Sequence, residues 1–450
     1  MKHSKGINNI YFIGASFRNK GAEAMAITAF RRLRQMYPGC QLTMTSYAKR
    51  DPLPYGRHQV PPFSADEQPI EYGLIKDTKG VPDLGTFPPH IKAWKFLLDI
   101  GQKFLNPLRI ILCGLLPIQS LRSWIVRGDR SLQHFLQADL VVDISGFGMS
   151  DQRPLVRRLY YCLEIFTSRC FGVPFVIFTQ AMGPFHKFST RLGAKLFLPR
   201  VDLLIARDQS TSTYLKEIGI DRKIPINLCT DSAFLFEPTL AEKEEGKKLL
   251  GNVFDQGRPV FGIVPNSVIF ERLEPQNEQS PYIQMLVHLS NYVQSTLGAT
   301  VVFVCHTHYE YRRDDEWLMR EVIRQAEHAD DIIAIGANYP AGVIKAVIGH
   351  LDFIVASRFH SLVAAISNAT PFFALGWSHK YDELANDAGI AESVLGFKDL
   401  SKNQLIEAVD KAWNQRGETR KRLEAEHDRL CNTAEKAFRL VAEKWPGKDI

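Results

Sequence analysis

Several features that would place this protein in a class at once are missing from its 450 residues. The seven cysteines are odd in number and include no CxxC pair, so a disulfide framework is not indicated. The longest apolar stretch, residues 110–118, is far too short to span a bilayer. The first residues are charged but lack the long apolar core and the small-residue cleavage site of a signal peptide. We therefore expect a reduced protein of the cytoplasm.

The chain also has little excess charge of either sign. Its 55 Lys and Arg and 49 Asp and Glu leave a formal charge of +6. This mild excess fits an anionic substrate or an anionic surface. Without an aromatic and basic signature it is too small to predict a nucleic-acid partner. The sequence leaves the oligomeric state open.

What is present is a regular alternation of short apolar runs with amphipathic stretches of helix length. This pattern predicts parallel βαβ units, and runs that are apolar on both faces predict sheets covered on both sides. We predict an α/β protein with two Rossmann-like, doubly wound domains that face a cleft. The N-terminal domain takes residues 1–236, the C-terminal domain takes residues 237–400, and a helical segment covers residues 401–450. Ligands would bind at the carboxyl ends of the strands.

A stretch near residues 50–130 interrupts the alternation. It holds many prolines and then a basic, apolar segment that contains Trp94, Phe104 and Trp124. Basic amphipathic helices with Trp and Phe can lie in a membrane interface, which would let the protein reach a lipid-linked sugar at the inner face of the plasma membrane. The alternative is a helical insertion that buries its apolar side on the domain.

The strongest local signal follows the apolar run 353–356. Arg358, His360 and Ser361 stand at a predicted strand-to-helix turn, where backbone N–H groups favour anions. The planar guanidinium of Arg358 suits a carboxylate or a phosphate, and His360 can exchange a proton near neutral pH. The alternative is an arginine in an ion pair and a histidine that caps the helix.

Arg207 occupies a similar position after the apolar run 203–205. The next residue, Asp208, is well placed to cap the following helix, and Arg207 would then point into the cleft. A surface pair of Arg207 and Asp208 is the alternative.

Turns at other strand ends add candidate ligand contacts. Asn19 and Glu23 belong to a loop, bracketed by two glycines, that joins the first strand to the first helix, and Gly146 lies in an open turn after the run 140–142. Gln180 follows the run 175–178 and could hydrogen-bond a sugar or a phosphate. Capping and turn formation are the alternative roles of these residues.

A pair of histidines, His306 and His308, follows the run 301–304. Two histidines at this spacing need a third ligand to hold a metal, and no carboxylate-rich partner stands at a diagnostic spacing. We therefore expect no metal site, and we expect a polar contact from His306 to the substrate.

Together these motifs resemble the polysaccharide pyruvyl transferase family. The family pattern runs Asn-x-Gly-x-Glu-Ala, Ser-Gly-x-Gly, Gln-x-x-Gly-Pro, Arg-Asp, Asp-x-Ala-Phe and Arg-x-His; in this chain the six motifs begin at Asn19, Ser145, Gln180, Arg207, Asp231 and Arg358. Phe147 stands where the family commonly has a glycine. Each motif is short, but their order and their positions at strand ends make the set specific.

The resemblance implies a fold similar to glycosyltransferases of the GT-B type and an enzyme that needs no cofactor. It implies transfer of a pyruvyl group from phosphoenolpyruvate to two hydroxyls of a sugar or a lipid-linked oligosaccharide, with formation of a ketal and release of phosphate. Arg207 and Arg358 would hold phosphoenolpyruvate, and His360 would be the acid or base. The substrate-binding set is completed by the following residues: Ser361, Asn19, Glu23, Gly146, Gln180 and His306.

Two other classes of function stay open from the sequence. A GT-B glycosyltransferase that uses a nucleotide-sugar would share the fold, although no acidic residue stands out at a ribose-binding spacing. A non-catalytic member would bind glycans or assemble a biosynthetic complex, and the intact Arg207, Arg358 and His360 argue against it.

Overall fold

A computed structural model describes residues 6–46, 59–60, 69–76, 110–116, 119–307, 313–397 and 401–447. Of the predicted insertion near 50–130, only residues 59–60, 69–76, 110–116 and 119–130 are therefore open to description. Trp94 and Phe104 of that insertion lie outside the described residues, as does His308.

The first half of the chain forms a parallel sheet of seven strands in the order β5-β2-β1-β6-β7-β8-β9, and β3 and β4 pair separately. These strands are β1 (Asn9–Ile13), β2 (Gln41–Ser46), β3 (Gln59–Val60), β4 (Ile70–Glu71), β5 (Gly73–Lys76), β6 (Leu140–Asp143), β7 (Phe175–Gln180), β8 (Leu203–Ala206) and β9 (Ile226–Leu228).

The second half forms a parallel sheet of six strands in the order β12-β11-β10-β13-β14-β15. These strands are β10 (Val260–Val264), β11 (Thr300–Val304), β12 (Ile333–Ile335), β13 (Phe353–Ala356), β14 (Phe372–Gly376) and β15 (Val394–Gly396). Both sheets start in the middle, run to one edge and return to the other side, which is the doubly wound arrangement that the alternation predicts.

Helices cover the faces of both sheets. In the first half they are α1 (Lys20–Met36), α2 (Gln119–Ile125), α3 (Arg130–Gln137), α4 (Leu155–Phe171), α5 (Phe188–Phe197) and α6 (Gln209–Glu217); residues 110–115 are also helical. In the second half they are α7 (Leu240–Leu250), α8 (Ser267–Phe270), α9 (Pro281–Ser295), α10 (Asp315–Gln325), α11 (Ala341–Gly349), α12 (Phe359–Ser367), α13 (Lys380–Asp387), α14 (Lys402–Asn414) and α15 (Arg416–Lys444). Within the described residues, no helix is both long and apolar enough to cross a membrane.

The strands are central because their residues are apolar without alternation. Every residue of β6, β7, β8, β10, β13 and β14 is buried, as expected for strands with helices on both faces. The chain reverses its winding between β1 and β6 in the first sheet and between β10 and β13 in the second. At such switch points the loops at the carboxyl ends diverge and leave a crevice for a ligand. The strand-end motifs follow one of these four strands or the neighbouring β7, except those after β8, β9 and β11.

The last helix joins the two halves. α15 follows the second sheet in the chain, but its carbonyl at Leu430 accepts a hydrogen bond from the hydroxyl of Thr230 at 2.8 Å, and the ring of Phe438 lies 4.7 Å from that of Phe178. One cluster of buried apolar side chains includes residues of both sheets and of α15. The two halves therefore share a core as well as a cleft.

Candidate functional site

The site begins at the turn between β13 and α12. β13 ends at Ala356, and Arg358 is the N-cap residue of α12 in an extended conformation with φ −109°. The hydroxyl of Ser361 donates to the carbonyl of Arg358 at 2.6 Å and so takes part in forming the first turn. This geometry places the side chains of Arg358, Phe359 and His360 at the carboxyl edge of the second sheet.

Asp231, which follows β9 in the N-terminal half, joins this turn to Arg207. Nη1 of Arg207 donates to Oδ2 of Asp231 at 2.8 Å, and Nε2 of His360 lies 3.5 Å from the same oxygen. The guanidinium of Arg207 also stacks over the ring of Phe359, 4.5 Å from its centroid. Arg207 from one domain and His360 from the other thus meet at one carboxylate.

The charge state of Asp231 follows from these neighbours. Burial disfavours ionisation of this carboxyl, but the charge of Arg207 and the contact with His360 outweigh burial and hold the pKa of Asp231 well below its usual range. Asp231 and Arg207 are only 2% and 6% exposed, so the pair is screened little by solvent. Removal of one partner from a buried pair of this kind costs about 3–5 kcal/mol of stability.

Arg358 is held on the opposite side of the turn. Its Nε donates to Oδ2 of Asp315 at 2.8 Å, and its Nη2 donates to the other oxygen of Asp315 and, at 3.0 Å, to the hydroxyl of Ser267. Asp315 is the first residue of α10 and is fully buried. This two-point contact fixes the plane of the Arg358 guanidinium at the rim of the second sheet.

His306 lies beside these groups at the end of β11. It is 3% exposed, and neither ring nitrogen has a hydrogen-bond partner among the described residues. Burial lowers the pKa of His306 well below its ordinary value, and the charges of His360, Arg358 and Lys20 act in the same direction. A buried neutral imidazole with one donor and one acceptor unsatisfied is a group that a polar ligand would complete.

The loop after β1 brings α1 against the same turn. The side chain of Asn19 caps α1 by accepting the N–H of Gly21 at 2.9 Å, and the N–H of Lys20 donates to the carbonyl of His306 at 3.1 Å. A Cβ added to Gly21 would lie 1.8 Å from Cγ of His360, so the imidazole lies directly on the first turn of α1. Asn19 therefore positions the helix end that touches His360.

Glu23, which the sequence also places in the substrate-binding set, is fully buried. It accepts from Nζ of Lys20 at 2.9 Å and from the N–H of Ala341, at the start of α11, at 2.8 Å. Burial raises the pKa of Glu23, and the charge of Lys20 opposes that shift. In this arrangement Glu23 joins α1 to α11 across the two domains.

Gly146 and Gln180 line the N-terminal side of the site. Gly146 has φ +67°, and a Cβ there would lie 2.7 Å from Cε of Met25 and 3.7 Å from Nη1 of Arg207. Gln180 donates to the carbonyl of Asp143 at 3.1 Å and accepts from the hydroxyl of Tyr161 at 3.2 Å. The glycine thus leaves room beside Arg207. The amide of Gln180 links the ends of β6 and β7 by a hydrogen bond.

A cavity of about 370 Å³ opens on this side. At its wall, Oδ2 of Asp143 has no hydrogen-bond partner among the described residues, and burial raises the pKa of this carboxyl. The cavity is lined by Gly14, Ala15, Ser16, Arg18, Asp143, Ser145, Phe147, Gly148, Met149, Arg153, Arg157, Arg158, Tyr160, Tyr161 and Glu164. Hydroxyl, carboxylate and guanidinium groups beside aromatic rings are suited to an anionic, polyhydroxylated ligand.

Three residues near the site received no role from the sequence. The sequence marks Asp231 only as part of a motif and gives no signal for Asp315 or Lys380. Nζ of Lys380 lies 3.5 Å from the ring centroid of Phe147, and burial together with the charge of Arg207 lowers its pKa well below the ordinary value. The only sequence signal for the contact between Lys380 and Phe147 is that Phe147 stands where the family commonly has a glycine.

The site contains no cluster of metal ligands. Among the described residues, no three His, Cys, Asp or Glu side chains come close enough together to hold a metal ion. Three carboxylates of the site form ion pairs instead: Asp231 with Arg207, Asp315 with Arg358 and Glu23 with Lys20.

Comparison with known proteins gives a family and a fold. A family model described as polysaccharide pyruvyl transferase matches residues 19–379. No curated protein sequence matches the chain.

Among solved structures, a putative UDP-N-acetylglucosamine 2-epimerase from Listeria monocytogenes is similar with a TM-score of 0.54 and 11% identity, over 98% of this chain and 96% of that chain. The UDP-GlcNAc 2-epimerase from Methanocaldococcus jannaschii has the same TM-score and identity, over 97% and 99% of the two chains. A UDP-glucose:anthocyanidin 3-O-glucosyltransferase in complex with UDP gives a TM-score of 0.54 at 10% identity, over 98% and 99% of the chains. The fold is thus that of the GT-B glycosyltransferases and epimerases, as the sequence predicts.

Proposed function

Because the chain belongs to the polysaccharide pyruvyl transferase family, we propose that it transfers the pyruvyl group of phosphoenolpyruvate to two hydroxyls of a polysaccharide sugar or of its lipid-linked precursor. The observation that carries the proposal is the meeting of Arg207, Asp231 and His360 where the two domains join. Phosphoenolpyruvate is a small donor with a carboxylate and a phosphate. A buried arginine beside a histidine fits the demands of binding it and moving a proton.

The two arginines suit the two anionic ends of the donor. Arg207 uses Nη1 for Asp231, while its Nε has no hydrogen-bond partner among the described residues. Arg358 stands two residues before His360, at the N-terminus of α12, and is held by Asp315. Backbone N–H groups at this helix end also favour negative charge. The aspartates fix each guanidinium in advance, so that little side-chain entropy is lost when the donor binds.

The reaction needs one proton at carbon and one on the departing phosphate. Protonation of the methylene carbon of phosphoenolpyruvate turns it into a methyl group and leaves positive character at the central carbon. One sugar hydroxyl forms a C–O bond there and gives up its proton; a second hydroxyl then displaces phosphate and closes the ketal. The two hydroxyl protons balance those taken up by the methyl group and the phosphate, and His360 is our candidate for the group that delivers the proton to carbon.

Asp231 has a supporting role in this scheme. Its carboxylate lies 3.5 Å from Nε2 of His360 and so helps to orient the imidazole ring against α1. The neutral imidazole of His306 adds a hydrogen-bonding group without adding charge.

The cavity on the N-terminal side is the natural place for the acceptor sugar. Oδ2 of Asp143 can accept a sugar hydroxyl, and its raised pKa suits it to take the hydroxyl proton. Tyr161 and Arg157, which line the same cavity, supply further polar contacts.

The direct test is release of phosphate from phosphoenolpyruvate in the presence of free and lipid-linked sugar acceptors. His360→Asn should lower the rate by about 10²–10⁴-fold, the usual contribution of a general acid or base, and donor binding measured by thermal shift should remain. His427→Asn is the matched control, because His427 also lies near an aspartate, Asp428, at 3.3 Å, but on the outer surface of α15. An unchanged rate in His360→Asn would remove this histidine from the mechanism.

The donor itself is tested by comparing ligands on the wild-type protein. Phosphoenolpyruvate should raise the melting temperature more than UDP- or GDP-sugars do, since the two arginines suit a small donor with two anionic groups. Arg358→Lys should lose most of this shift, because lysine cannot reproduce the two-point contact with Asp315. Stabilisation by a nucleotide-sugar and none by phosphoenolpyruvate would contradict the proposed donor.

A further inference from the structure

An exposed apolar stripe runs along the outside of α4 and α5. Phe188, Leu192 and Leu196 of α5 are 79%, 44% and 45% exposed, and Leu155 and Leu159 of α4 are 51% and 58% exposed. Within each helix these residues recur every four positions, so they share one face. No part of the chain that the structure describes covers either face, although large apolar side chains at this spacing normally pack against a core.

The two faces belong to one surface because the helices pack side by side. Nη1 of Arg158 on α4 donates to the hydroxyl of Ser189 on α5 at 2.9 Å, and a Cβ added to Gly193 of α5 would lie 3.3 Å from Sγ of Cys162 on α4. The surface continues past the end of α4, since a Cβ on Gly114 would lie 2.8 Å from the carbonyl of Cys170.

That neighbouring segment is also apolar and exposed. Leu115 and Trp124 are 75% and 70% exposed. We call the outer side of residues 110–116, residues 119–128, α4 and α5 the apolar face. Soluble proteins rarely leave contiguous apolar surface of this kind uncovered unless it contacts a partner or a membrane.

The charge of the same segments narrows the choice of partner. Residues 110–128, 155–171 and 185–200 contain nine Lys and Arg and a single acidic residue, Glu164, whereas the whole chain contains 55 and 49. The excess of basic residues in these three segments thus exceeds that of the entire chain. Exposed members around the apolar residues are Arg127, Arg157, Arg169, Lys187, Arg191 and Arg200.

We propose that the apolar face docks on an anionic phospholipid membrane. Aromatic and leucine side chains would enter the interface between headgroups and acyl chains, and the surrounding basic residues would meet lipid phosphates. A second copy of the chain is a poorer occupant, because two such faces would bring like charges together across the contact. Exposed apolar residues alone would fit a membrane or a second copy of the chain equally well; the basic residues around them favour the membrane.

This orientation would have a consequence for the acceptor, which rests on the proposed function. Arg157 and Tyr160 belong to α4, as Leu155 and Leu159 do, and they line the cavity assigned to the acceptor sugar. With α4 at the membrane, the cavity would open close to the lipid surface, where the sugar of a lipid-linked acceptor is found.

The test is flotation of the full-length protein with vesicles. The protein should float with phosphatidylcholine vesicles that contain about a third phosphatidylglycerol and should remain unbound with phosphatidylcholine alone, because only an anionic membrane attracts the basic residues near its surface. Raising the salt concentration should release it.

Two double variants separate the apolar from the electrostatic part. Phe188→Ser with Leu192→Ser should weaken binding about tenfold or more, and Arg169→Gln with Arg191→Gln should weaken it about tenfold. The matched controls lie on α7 in the other domain: Leu240→Ser, at a position 75% exposed, and Lys247→Gln with Lys248→Gln should bind as the wild type does. All these positions are on the surface, so the melting temperatures should stay close to that of the wild type.

Three outcomes would overturn the proposal: no flotation of the wild type with anionic vesicles, an equal loss of binding in the α7 controls, or a dimer in light scattering that Phe188→Ser with Leu192→Ser dissociates. Phosphate release with a water-soluble acceptor is expected to be the same in the apolar-face variants and the wild type. Failure of docking and failure of the pyruvyl transfer proposal therefore give different results.

Discussion

Among single residues, Asp231 links the two domains most directly, because its buried carboxylate lies 2.8 Å from Nη1 of Arg207 and 3.5 Å from Nε2 of His360. It neutralises a guanidinium that would otherwise be buried alone, and it sets the orientation of an imidazole from the other domain. Asp231→Asn should therefore reduce both stability and catalytic rate, whereas loss of His360 alone should affect mainly the rate.

A second acidic residue near the site makes stability depend on pH. Glu383 of α13 accepts the N–H of Ser210, in the N-terminal half, at 2.9 Å. Burial and then the carboxylate of Asp208 raise the pKa of Glu383 to about 7. The stabilisation from this group is fully present below the ordinary glutamate pKa and is lost as pH rises through about 7, where the folded protein must ionise a partly buried carboxyl.

Glu383→Gln should remove that dependence. Relative to the wild type, the variant should gain about 2 °C in melting temperature between pH 5 and pH 8, in line with a change of roughly 1 kcal/mol in a large domain. Differential scanning calorimetry at the two pH values measures the change. Exposed Glu424→Gln on α15 is the control and should show the same difference from the wild type at both pH values. An equal difference for Glu383→Gln at both values would contradict the pKa shift.

At this scale the sequence predicts which residues stand at strand ends and little about what they touch. Arg207 and His360 could be placed at the cleft because each follows an apolar run. Their shared partner could not be identified, since Asp231 is separated from His360 by more than a hundred residues and only the packing of the two sheets brings them together. Whether Arg207 and Arg358 grip opposite ends of one donor stays a prediction.

Among the elements, α1 and α12 make a contact that leaves no room for an added side-chain atom at Gly21. The first turn of α1 has no side chain at Gly21, and the ring of His360 occupies that space. The helix end is fixed there by the cap from Asn19 and by the hydrogen bond from Lys20 to His306. Glycine is required at this position for close approach, not for a special backbone angle.

Gly21→Ala should test this contact. The new methyl group would overlap the imidazole, so His360 must move, and we expect the rate of phosphate release to fall by about tenfold or more while the protein still folds. Gly417→Ala on α15 is the control, because nothing lies within 4 Å of the added Cβ, and alanine should stabilise that helix by about 0.5–1 kcal/mol. Wild-type activity in Gly21→Ala would show that the position of His360 is not critical.

The type and order of the elements could be predicted well, because apolar runs without alternation predict buried parallel strands. The apolar face of α4 and α5 could not be recognised, since leucines at helical spacing usually indicate a buried side. Only the structure shows that α4 buries one side of the helix and leaves Leu155 and Leu159 outside.

In the whole molecule, the two domains should unfold together. Their sheets share one apolar cluster with α15, in which Leu430 is completely buried. Leu430→Ala should lower the free energy of unfolding by about 2–5 kcal/mol, as expected for a leucine lost from a core.

Urea unfolding followed by far-ultraviolet circular dichroism and by tryptophan fluorescence measures this effect. Both signals should give one coincident transition in the wild type and in the variant, because one buried cluster joins the two sheets, although each domain also has a cluster of its own. Leu240→Ala, at an exposed leucine, should change stability by less than about 0.5 kcal/mol. Two separate transitions in the wild type would show that the shared cluster does not couple the domains.

The return of α15 to the first domain means that the backbone passes between the domains twice, once before α7 and again near the start of α15. A body attached to another at a single point can swing in any direction, whereas a body attached at two points can turn only about the line that joins them. If the domains separate to admit a donor, the motion is then a rotation about this one line. Such a rotation would bring His360 back to Asp231 along a single path.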